Sequence, residues 1–136
     1  MTPKHTLYRL SEPGDAASLR ALWMHNQELF GKPLKLGWPT IVAERNNVII
    51  GFLSTYLDHE IITAGPLILR KGAAPFTTLR LIEAYENILR IAGVKTYFFF
   101  FEDQNDRWMK FAAKLGVEPY SVDHNGKWFR RNLSHG

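Results

Sequence analysis

The chain has 136 residues, of which 46% are hydrophobic, 13% aromatic and 22% charged. This composition excludes a disordered chain, and the length predicts a single domain over residues 1–136. Cysteine is absent, which excludes a disulfide scaffold, a thiolate zinc site and a cysteine nucleophile. The longest dense apolar run, residues 97–101, is too short to cross a bilayer, and no apolar signal core follows Met1. We therefore expect a cytoplasmic protein with no membrane partner.

The formal net charge of +4 lies entirely in the second half of the chain. Residues 1–68 contain six basic and six acidic residues, whereas residues 69–136 contain eleven basic and seven acidic residues. A basic half suggests a phosphate-bearing partner, either a nucleotide-like cofactor or nucleic acid. A charge this small is also common in proteins that have no such partner.

The first part of the chain predicts a strand followed by a helix. Residues 7–10 form the strand, and Asp15 is placed to accept hydrogen bonds from the first amides of the helix. Side chains at helical spacing extend this helix to a stop near Gly31; they are Leu19, Leu22, Trp23, Gln27 and Phe30. Residues 31–39, rich in glycine and proline, predict a loop or an irregular short helix.

Three strands are expected next. Residues 40–44 and 48–57 are rich in β-branched and aromatic residues, and Asn46-Asn47 between them tolerates the positive φ of a two-residue hairpin. Residues 60–69 predict a further strand. Its Gly65-Pro66 pair should make it bulge or splay, because proline donates no hydrogen bond to a ladder.

The second half begins with a loop and a helix. The loop covers residues 70–75, and Pro75 suits the first turn of a helix because its missing N–H costs nothing there. An apolar face at i, i+3 spacing extends to Ala92, and Gly93 stops the helix. The face consists of Phe76, Leu79, Ile82, Tyr85 or Glu86, and Leu89.

The remaining residues predict a strand, a helix and a hairpin. Residues 94–101 contain an aromatic run without alternation, which is typical of a strand buried on both faces. Residues 105–116 predict a helix that ends at a glycine. Residues 120–123 and 127–132 predict two strands, and Asn125-Gly126 between them is a strong hairpin signal.

The order of these elements indicates the fold class. The strand–helix–strand unit over residues 60–101 implies a parallel pair with a right-handed crossover, whereas the hairpins imply antiparallel pairs. We therefore predict a mixed α/β (α+β) fold. It has a central, mostly antiparallel sheet with one parallel strand pair, and helices on both faces.

Two segments, in this order of elements, resemble the GNAT superfamily of N-acetyltransferases. The family's strand-to-helix motif is Gln or Arg, two residues, Gly, one residue, and Gly or Ala. Here Gly72 and Ala74 match its last two fixed positions, and Leu69 departs from the first. Residues 105–117, Asn-Asp-Arg-Trp-Met-Lys-Phe-Ala-Ala-Lys-Leu-Gly-Val, are similar to the family's Asn-led helix. The chain thus resembles a short, divergent member, similar in length to some that bacteriophages encode.

The resemblance implies acetyl-CoA as co-substrate. Its pyrophosphate would lie on the turn formed by Leu69, Arg70, Lys71, Gly72, Ala73 and Ala74. Its pantetheine arm would lie between two parallel strands, beside Asn105. Elementary chemistry agrees, because a helix start offers free amide donors and partial positive charge. Gly72 admits a close backbone approach, and Arg70 and Lys71 add positive charge.

The resemblance also implies a general acid and a general base for acyl transfer to an amine. The family's usual acid is a tyrosine on the Asn-led helix, where this chain has Ala112. Tyr120 is therefore the candidate acid, with the more core-like Tyr97 as the alternative. Glu102 is the candidate base, followed by Asp103, although both also suit a helix N-terminus.

The amine acceptor would lie near the first helix and the loop after it. Trp23, His25, Glu28 and Trp38 are candidates there, and Trp23 also suits the core. The residues do not distinguish a small-molecule amine from a protein amine. The five histidines form no metal-spaced pair, so we expect no metal site.

Three functions are compatible with the sequence. The first is an acyl-CoA-dependent N-acetyltransferase that transfers directly to a small or protein amine. The second is a catalytically degenerate GNAT-fold binding protein, such as a phage-encoded one acting on a host or virion partner. Ala112 and Pro75, which removes an amide near the phosphate position, favour it. The third is nucleic-acid binding through residues 127–131, which we disfavour because alternation divides their cations between two faces.

Overall fold

The computed structural model describes residues 5–25, 33–57, 61–74, 76–102, 118–123 and 126–133. Its elements in chain order are β1 (Thr6–Leu10), a 3₁₀ turn (Pro13–Asp15), α1 (Ala16–Met24), β2 (Ile41–Arg45), β3 (Val48–Thr55), β4 (Ala64–Leu69), α2 (Thr77–Ile91), β5 (Thr96–Glu102), β6 (Glu118–Asp123) and β7 (Gly126–Asn132). Each predicted strand has a counterpart here. The predicted helix over residues 105–116 lies outside the described residues. Within them, no helix is long and apolar enough to cross a membrane.

The strands form two sheets rather than the single central sheet predicted. One sheet has the order β1-β2-β3-β4 and the other β5-β7-β6, with antiparallel neighbours throughout. They meet at an isolated parallel bridge between Thr63 and Phe98, where the Phe98 N–H donates to the Ile62 carbonyl at 2.8 Å. The expected parallel strand pair is thus reduced to one bridge among the described residues.

The predicted break in the strand over residues 60–69 explains this separation. Gly65 has a φ of +139°, outside the range of ordinary strand backbone, and Pro66 has no N–H to donate. The pairing of β3 with β4 shifts register between Leu53 and Thr55, opposite the same point. The irregularity is confirmed and lies inside β4, because Gly65 and Pro66 fall between the pairs Thr55–Ala64 and Leu53–Leu67.

The hairpin between β2 and β3 turns as its two asparagines predict. Asn46 and Asn47 have φ values of 52° and 65°. Two consecutive residues in the left-handed region are what a tight hairpin needs to match the strand twist. Asparagine tolerates this region because its short polar side chain bonds locally.

Asp15 is positioned differently from the prediction. Its side chain makes no hydrogen bond to the first amides of α1. The carboxylate instead accepts the Glu12 N–H at 2.7 Å and two bonds from the Arg9 guanidinium, at 2.8 and 3.0 Å. The competing partner on β1 is charged and makes two bonds, which makes it the stronger one. Asp15 therefore joins the start of α1 to β1.

Two buried clusters lie on opposite faces of the four-stranded sheet. Along β2, Val42 packs with the α1 residues Leu19, Leu22 and Trp23, whereas its neighbours Ile41 and Ala43 pack with the α2 residues Leu81, Tyr85 and Leu89. Successive side chains of a strand point to opposite faces. The two helices therefore cover opposite faces of this sheet.

The buried face of α2 agrees with the predicted one at Tyr85, Glu86 and Leu89, but it differs at the start of the helix. Phe76, just before the helix, is 56% exposed, and Leu79 is 36% exposed. The fully buried residues Leu81, Tyr85 and Leu89 instead follow an i, i+4 spacing. This row belongs to one buried cluster with residues of both sheets, and packing between the sheets turns it inward. The sheet residues of the cluster are Ile41, Ala43 and Leu53 of the first sheet and Tyr97, Phe99 and Phe129 of the second. Gly93 ends the helix with a φ of +84°, as predicted.

The aromatic strand β5 lies in the core of the second sheet. Tyr97 and Phe99 are buried, whereas Phe98 between them is half-buried. Phe99 stacks on Phe129 of β7 with ring centroids 5.6 Å apart, and Tyr97 meets Tyr85 of α2 edge-on at 5.5 Å. These aromatic contacts pack α2 against the second sheet.

Candidate cofactor-binding site

The turn after β4 is held by two backbone hydrogen bonds. The N–H of Arg70 donates to the carbonyl of Ile50 on β3 at 2.7 Å. The N–H of Ala73 donates to the carbonyl of Arg70 at 3.0 Å, which closes a four-residue turn. Gly72, the third residue, has a φ of +88°. A turn with this conformation at its third position strongly favours glycine.

This turn presents groups that suit an anion. Arg70, Lys71 and Gly72 are exposed, and a Cβ added to Gly72 would meet no heavy atom within 4 Å. In the described part of the chain, the N–H groups of Lys71, Gly72 and Ala74 have no hydrogen-bond acceptor. The 15-residue helix α2 begins at Thr77, and its N-terminus adds partial positive charge. Leu69, before the turn, is half-buried and supplies only its backbone.

The edge of β4 that faces β5 is open beyond the bridge at Thr63. Within the described residues, β4 pairs along its length with β3 alone. The Tyr56 ring lies so close to Gly65 that a Cβ there would overlap it. An open strand edge carries unpaired N–H and C=O groups that can bind an extended chain. This edge runs from the irregularity at Gly65 to the turn at Gly72.

At the other end of β4, a loop displays Trp38 from a fixed backbone. The N–H of Gly37 donates to the carbonyl of Thr55 at 2.8 Å. The hydroxyl of Thr55 donates to the carbonyl of Pro39 at 3.0 Å, and that of Thr40 to the carbonyl of Gly37 at 2.8 Å. The loop is therefore held on both sides of Trp38, whose side chain is 61% exposed.

Two more exposed apolar side chains border this loop. Leu57 lies beside Gly37, with its Cδ2 atom 3.4 Å from the position that a Cβ of Gly37 would take. Tyr56 is packed against Gly65, and its N–H donates to the Thr63 carbonyl at 2.9 Å. Trp38, Tyr56 and Leu57, which we call the Trp38 surface, thus adjoin the point where β4 and β5 separate.

The other candidates for binding the acceptor, Trp23, His25 and Glu28, are not among the residues of the Trp38 surface. Trp23 is 8% exposed and packs in the α1 cluster, so its interpretation as a core residue is confirmed. His25 is exposed at the C-terminal end of α1. Glu28 lies outside the described residues.

Tyr97 is a core residue and not an available acid. It is 2% exposed, and its phenol donates to Oε2 of the buried Glu86 at 2.7 Å. Burial, and then the neighbouring Glu86 carboxylate, hold the pKa of Tyr97 well above its ordinary value. A phenol that makes this bond inside the core has no path to a substrate.

The two predicted catalytic residues lie on strands with β7 between them. Glu102 ends β5 and pairs with Gly126, whereas Tyr120 lies in β6 at the register shift between Pro119 and Ser121. The two strands lie about 10 Å apart, and Tyr120 is displaced along them by two to three residues, so the backbones of Glu102 and Tyr120 are about 13 Å apart. The side chains of Glu102 and Tyr120, and the whole of Asn105, Asp103 and Ala112, lie outside what the structure describes.

The residues that hold the Trp38 loop had no signal in the sequence. Ser54 and Thr55 end the apolar strand β3, and both are buried. Their hydroxyl partners come from sequence positions 14 to 30 residues away: the Ser54 and Thr40 oxygens are 2.6 Å apart, and those of Thr55 and Tyr85 are 2.7 Å apart. Their burial requires hydrogen-bond partners, and the fold supplies these from distant parts of the chain.

Comparison with known proteins supports the fold. No family model and no curated protein matches the sequence. Among solved structures, the chain is similar to yncA, a putative acetyltransferase from Salmonella typhimurium with its cofactor acetyl-CoA. The TM-score is 0.76 at 14% sequence identity, and the match covers 96% of this chain and 95% of that chain. It is similar to the PaiA N-acetyltransferase from Thermoplasma acidophilum in complex with coenzyme A, with a TM-score of 0.73, 13% identity, and coverage of 94% and 99%.

A third similar structure is an acetyltransferase of the GNAT family from Staphylococcus aureus, with a TM-score of 0.74, 12% identity, and coverage of 96% and 100%. Sequence identities this low establish similarity of fold alone. They do not support a phage origin. The similarity extends over nearly the whole length of each of these structures. The chain therefore has the GNAT acetyltransferase fold.

Proposed function

We propose that this chain is an acyl-CoA-dependent N-acetyltransferase, a single domain that transfers an acetyl group from acetyl-CoA directly to a small or protein amine. The observation that carries the proposal is the open edge of β4. It leads from the parallel bridge at Thr63 to the anion-binding turn at Gly72. Two of the similar structures hold acetyl-CoA or coenzyme A.

The turn fits a pyrophosphate. The N–H groups of Lys71, Gly72 and Ala74, which have no acceptor among the described residues, suit an anion with many acceptor oxygens. Gly72 has no side chain and leaves room for the anion to approach the backbone closely. Arg70 and Lys71 add two exposed cations. Leu69, at the usual polar position of the motif, contributes no charge, so this site depends on the two residues after it.

The open edge of β4 fits the pantetheine arm. That arm is an extended chain with two amide groups, and a free strand edge offers N–H and C=O partners for them. Asn105 is our proposed further contact to the arm. When bound, acetyl-CoA supplies an activated thioester.

The proposed chemistry needs two proton transfers. Glu102 would take a proton from the attacking amine, and Tyr120 would give one to the sulfur as the carbon–sulfur bond breaks. The acyl group passes directly to the amine because the chain has no cysteine to carry it. The Trp38 surface would bind the acceptor, since it adjoins the point where the strands separate.

A catalytically degenerate GNAT-fold binding protein is the second candidate. Ala112 favours it, because the family's usual acid is a tyrosine at that position. Such a protein would keep the cofactor site and use it to bind a partner without acyl transfer.

Thiol release distinguishes the two functions. The protein is incubated with acetyl-CoA and a panel of small amines and peptides, and free thiol is measured with a chromogenic disulfide. Every thiol comes from coenzyme A, since the chain has none of its own. Release that depends on an amine and falls in Tyr120→Phe and Glu102→Gln supports the enzyme. Acetyl-CoA binding without thiol release for any amine would leave the binding protein as the function.

A further inference from the structure

Thr55, the last residue of β3, joins the loop that carries Trp38 to the helix α2. Its carbonyl accepts the N–H of Gly37 at 2.8 Å, and its hydroxyl lies 3.0 Å from the carbonyl of Pro39. The same hydroxyl lies 2.7 Å from the phenol of Tyr85 on α2, and both side chains are buried. One residue therefore contacts the loop on both sides of Trp38 and also contacts the helix.

The two hydroxyl groups can share their protons in one order. A carbonyl only accepts, so the single hydroxyl proton of Thr55 is donated to Pro39. Thr55 then accepts from Tyr85, whose phenol is the donor. A chain of two hydrogen bonds thus runs from α2 to the loop. Breaking it would leave buried polar groups without partners, which is costly in a core.

The backbone of the loop lies against the end of β3. A Cβ added to Gly37 would lie 2.5 Å from the carbonyl oxygen of Thr55, well inside van der Waals contact. Glycine therefore permits the close approach on one side of Trp38. On the other side, at Pro39, the loop is held by the hydroxyl chain, and this chain depends on α2.

The Trp38 surface gains its fixed position from these bonds. Trp38, Tyr56 and Leu57 are all exposed, so the burial of their side chains contributes little to holding the loop. A surface that occupies its binding position for only part of the time binds more weakly by that fraction. A loop that is held in advance avoids this loss.

We propose that Tyr85 and Thr55 are positioning residues for the amine acceptor, because their hydroxyl chain holds the Trp38 loop in the position that binds it. The inference rests on the proposed function and extends it to buried residues that act through the loop. Loss of either hydroxyl should raise the KM for the amine and leave the Kd of acetyl-CoA unchanged.

Four variants separate this role from a general loss of stability. Tyr85→Phe removes the donor, and Thr55→Val removes both hydroxyl bonds with little change of shape. Thr55→Ser keeps a hydroxyl and is the rescue variant. Tyr97→Phe is the matched control, since Tyr97 is a similarly buried tyrosine that meets Tyr85 edge-on but donates to Glu86 instead. Circular dichroism establishes that all four are folded.

The kinetic test measures the KM for the amine, kcat and the Kd of acetyl-CoA. We expect KM to rise about fivefold or more in Tyr85→Phe and in Thr55→Val, the factor that one hydrogen bond represents. Thr55→Ser and Tyr97→Phe should change KM by less than about twofold, and all four should keep the Kd within about twofold. Tyr85→Phe combined with Thr55→Val should have no more effect than Thr55→Val alone, because both break the same chain.

A second measurement needs no acceptor. The Gly37 N–H is bonded to Thr55, so its hydrogen exchange, followed by NMR, reports opening of the loop. The Arg70 N–H, bonded to Ile50, is the reference that cancels any change in global stability. Relative to it, Gly37 should exchange about fivefold faster or more in Tyr85→Phe and Thr55→Val, and as in the wild type in Tyr97→Phe and Thr55→Ser.

The proposal is overturned by an unchanged KM in Tyr85→Phe and Thr55→Val, by an equal rise in Tyr97→Phe, or by unchanged exchange at Gly37. If amines are acetylated with the same KM in every variant, the positioning role is wrong while the proposed function stands. If no amine is acetylated, the proposed function fails. Faster exchange at Gly37 would then still support the hold of the two hydroxyls on the loop, and unchanged exchange would refute it.

Discussion

The Tyr97 phenol donates a hydrogen bond of 2.7 Å to the Glu86 carboxylate, with both residues almost fully buried. The same carboxylate accepts from Arg131 Nε at 2.8 Å and lies 3.8 Å from Arg90. One side chain of α2 is thereby bound to β5 through Tyr97 and to β7 through Arg131. The two sheets share one bridge in the described residues, so these contacts through α2 help to fix how far β4 and β5 separate.

The first prediction concerns this carboxylate. Glu86→Ala removes the acceptor of the buried Tyr97 phenol and the carboxylate that pairs with Arg131, so we expect it to lower the free energy of unfolding by about 3 kcal/mol. Tyr97→Phe should cost about 1 kcal/mol, because it removes one hydrogen bond while Arg131 still pairs with Glu86. Urea unfolding followed by circular dichroism measures both.

Glu83→Ala is the matched control for Glu86→Ala. Glu83 lies on the same helix and also pairs with an arginine, Arg80, at 3.1 Å, but both side chains are more than half exposed. An exposed pair contributes at most about 1 kcal/mol. A loss in Glu86→Ala as small as that in Glu83→Ala would contradict the assigned role of Glu86.

The second prediction is a loss of stability at high pH. Burial raises the pKa of Tyr85 from 10.0 to about 12, and its hydrogen bond with Thr55 opposes this only in part. Because the folded pKa is higher than the unfolded one, the stabilising contribution is complete below pH 10. It is lost as the pH rises toward 12. With 1.36 kcal/mol per pKa unit, the wild type should lose roughly 2–3 kcal/mol more than Tyr85→Phe across this range. Parallel pH profiles for the two proteins would refute this.

The third prediction is a loss of stability in acid. The Arg9 guanidinium, through its hydrogen bonds, holds the pKa of Asp15 below its ordinary value. The stabilisation is therefore present above the unfolded pKa and is lost as the pH falls through the folded one. We expect Asp15→Asn to be less stable than the wild type at pH 7 and to show a flatter acid limb in its urea midpoints. Arg9→Met should flatten the same limb, and an unchanged limb in either variant would count against the assignment.

The fourth prediction concerns acceptor binding. Trp38 is exposed on a loop that other residues hold, so Trp38→Ala should change the free energy of unfolding by less than about 0.5 kcal/mol. If the Trp38 surface binds the acceptor, the variant should raise the KM for the amine about tenfold or more and leave the Kd of acetyl-CoA unchanged. Ile91→Ala, at another strongly exposed apolar residue, is the control and should change neither constant. Equal effects of the two substitutions would remove the Trp38 surface from the acceptor site.

Features set by local chemistry were predictable from the sequence. The hairpin at Asn46-Asn47, the irregularity at Gly65-Pro66 and the end of α2 at Gly93 each depend on the backbone preferences of one or two residues. The turn at Gly72 depends in the same way on the backbone preference of one residue. The candidate phosphate site could therefore be predicted from the sequence alone.

Features set by distant partners were not predictable. Glu86 and Arg131 are separated by 45 positions, and nothing nearby indicates that they pair. The sequence predicts Asp15 as a helix cap, but in the structure its carboxylate accepts two stronger hydrogen bonds from Arg9 on β1. The apolar face of α2 was predicted correctly at Tyr85 and Leu89. Its first turns were not, because Phe76 and Leu79 also fit a helical spacing but are exposed.

The most direct test of the cofactor site compares two glycines at the two ends of α2. Gly72 and Gly93 have φ values of +88° and +84°, and an added Cβ would meet no heavy atom within 4 Å at either position. Glutamate at either site thus introduces the same charge and a similar backbone strain, but only Gly72 lies on the proposed phosphate turn. Calorimetric titration with acetyl-CoA should show micromolar binding to the wild type and to Gly93→Glu, and a loss of about a hundredfold or more in Gly72→Glu. No binding to the wild type at millimolar acetyl-CoA, or an equal loss in both variants, would contradict the account.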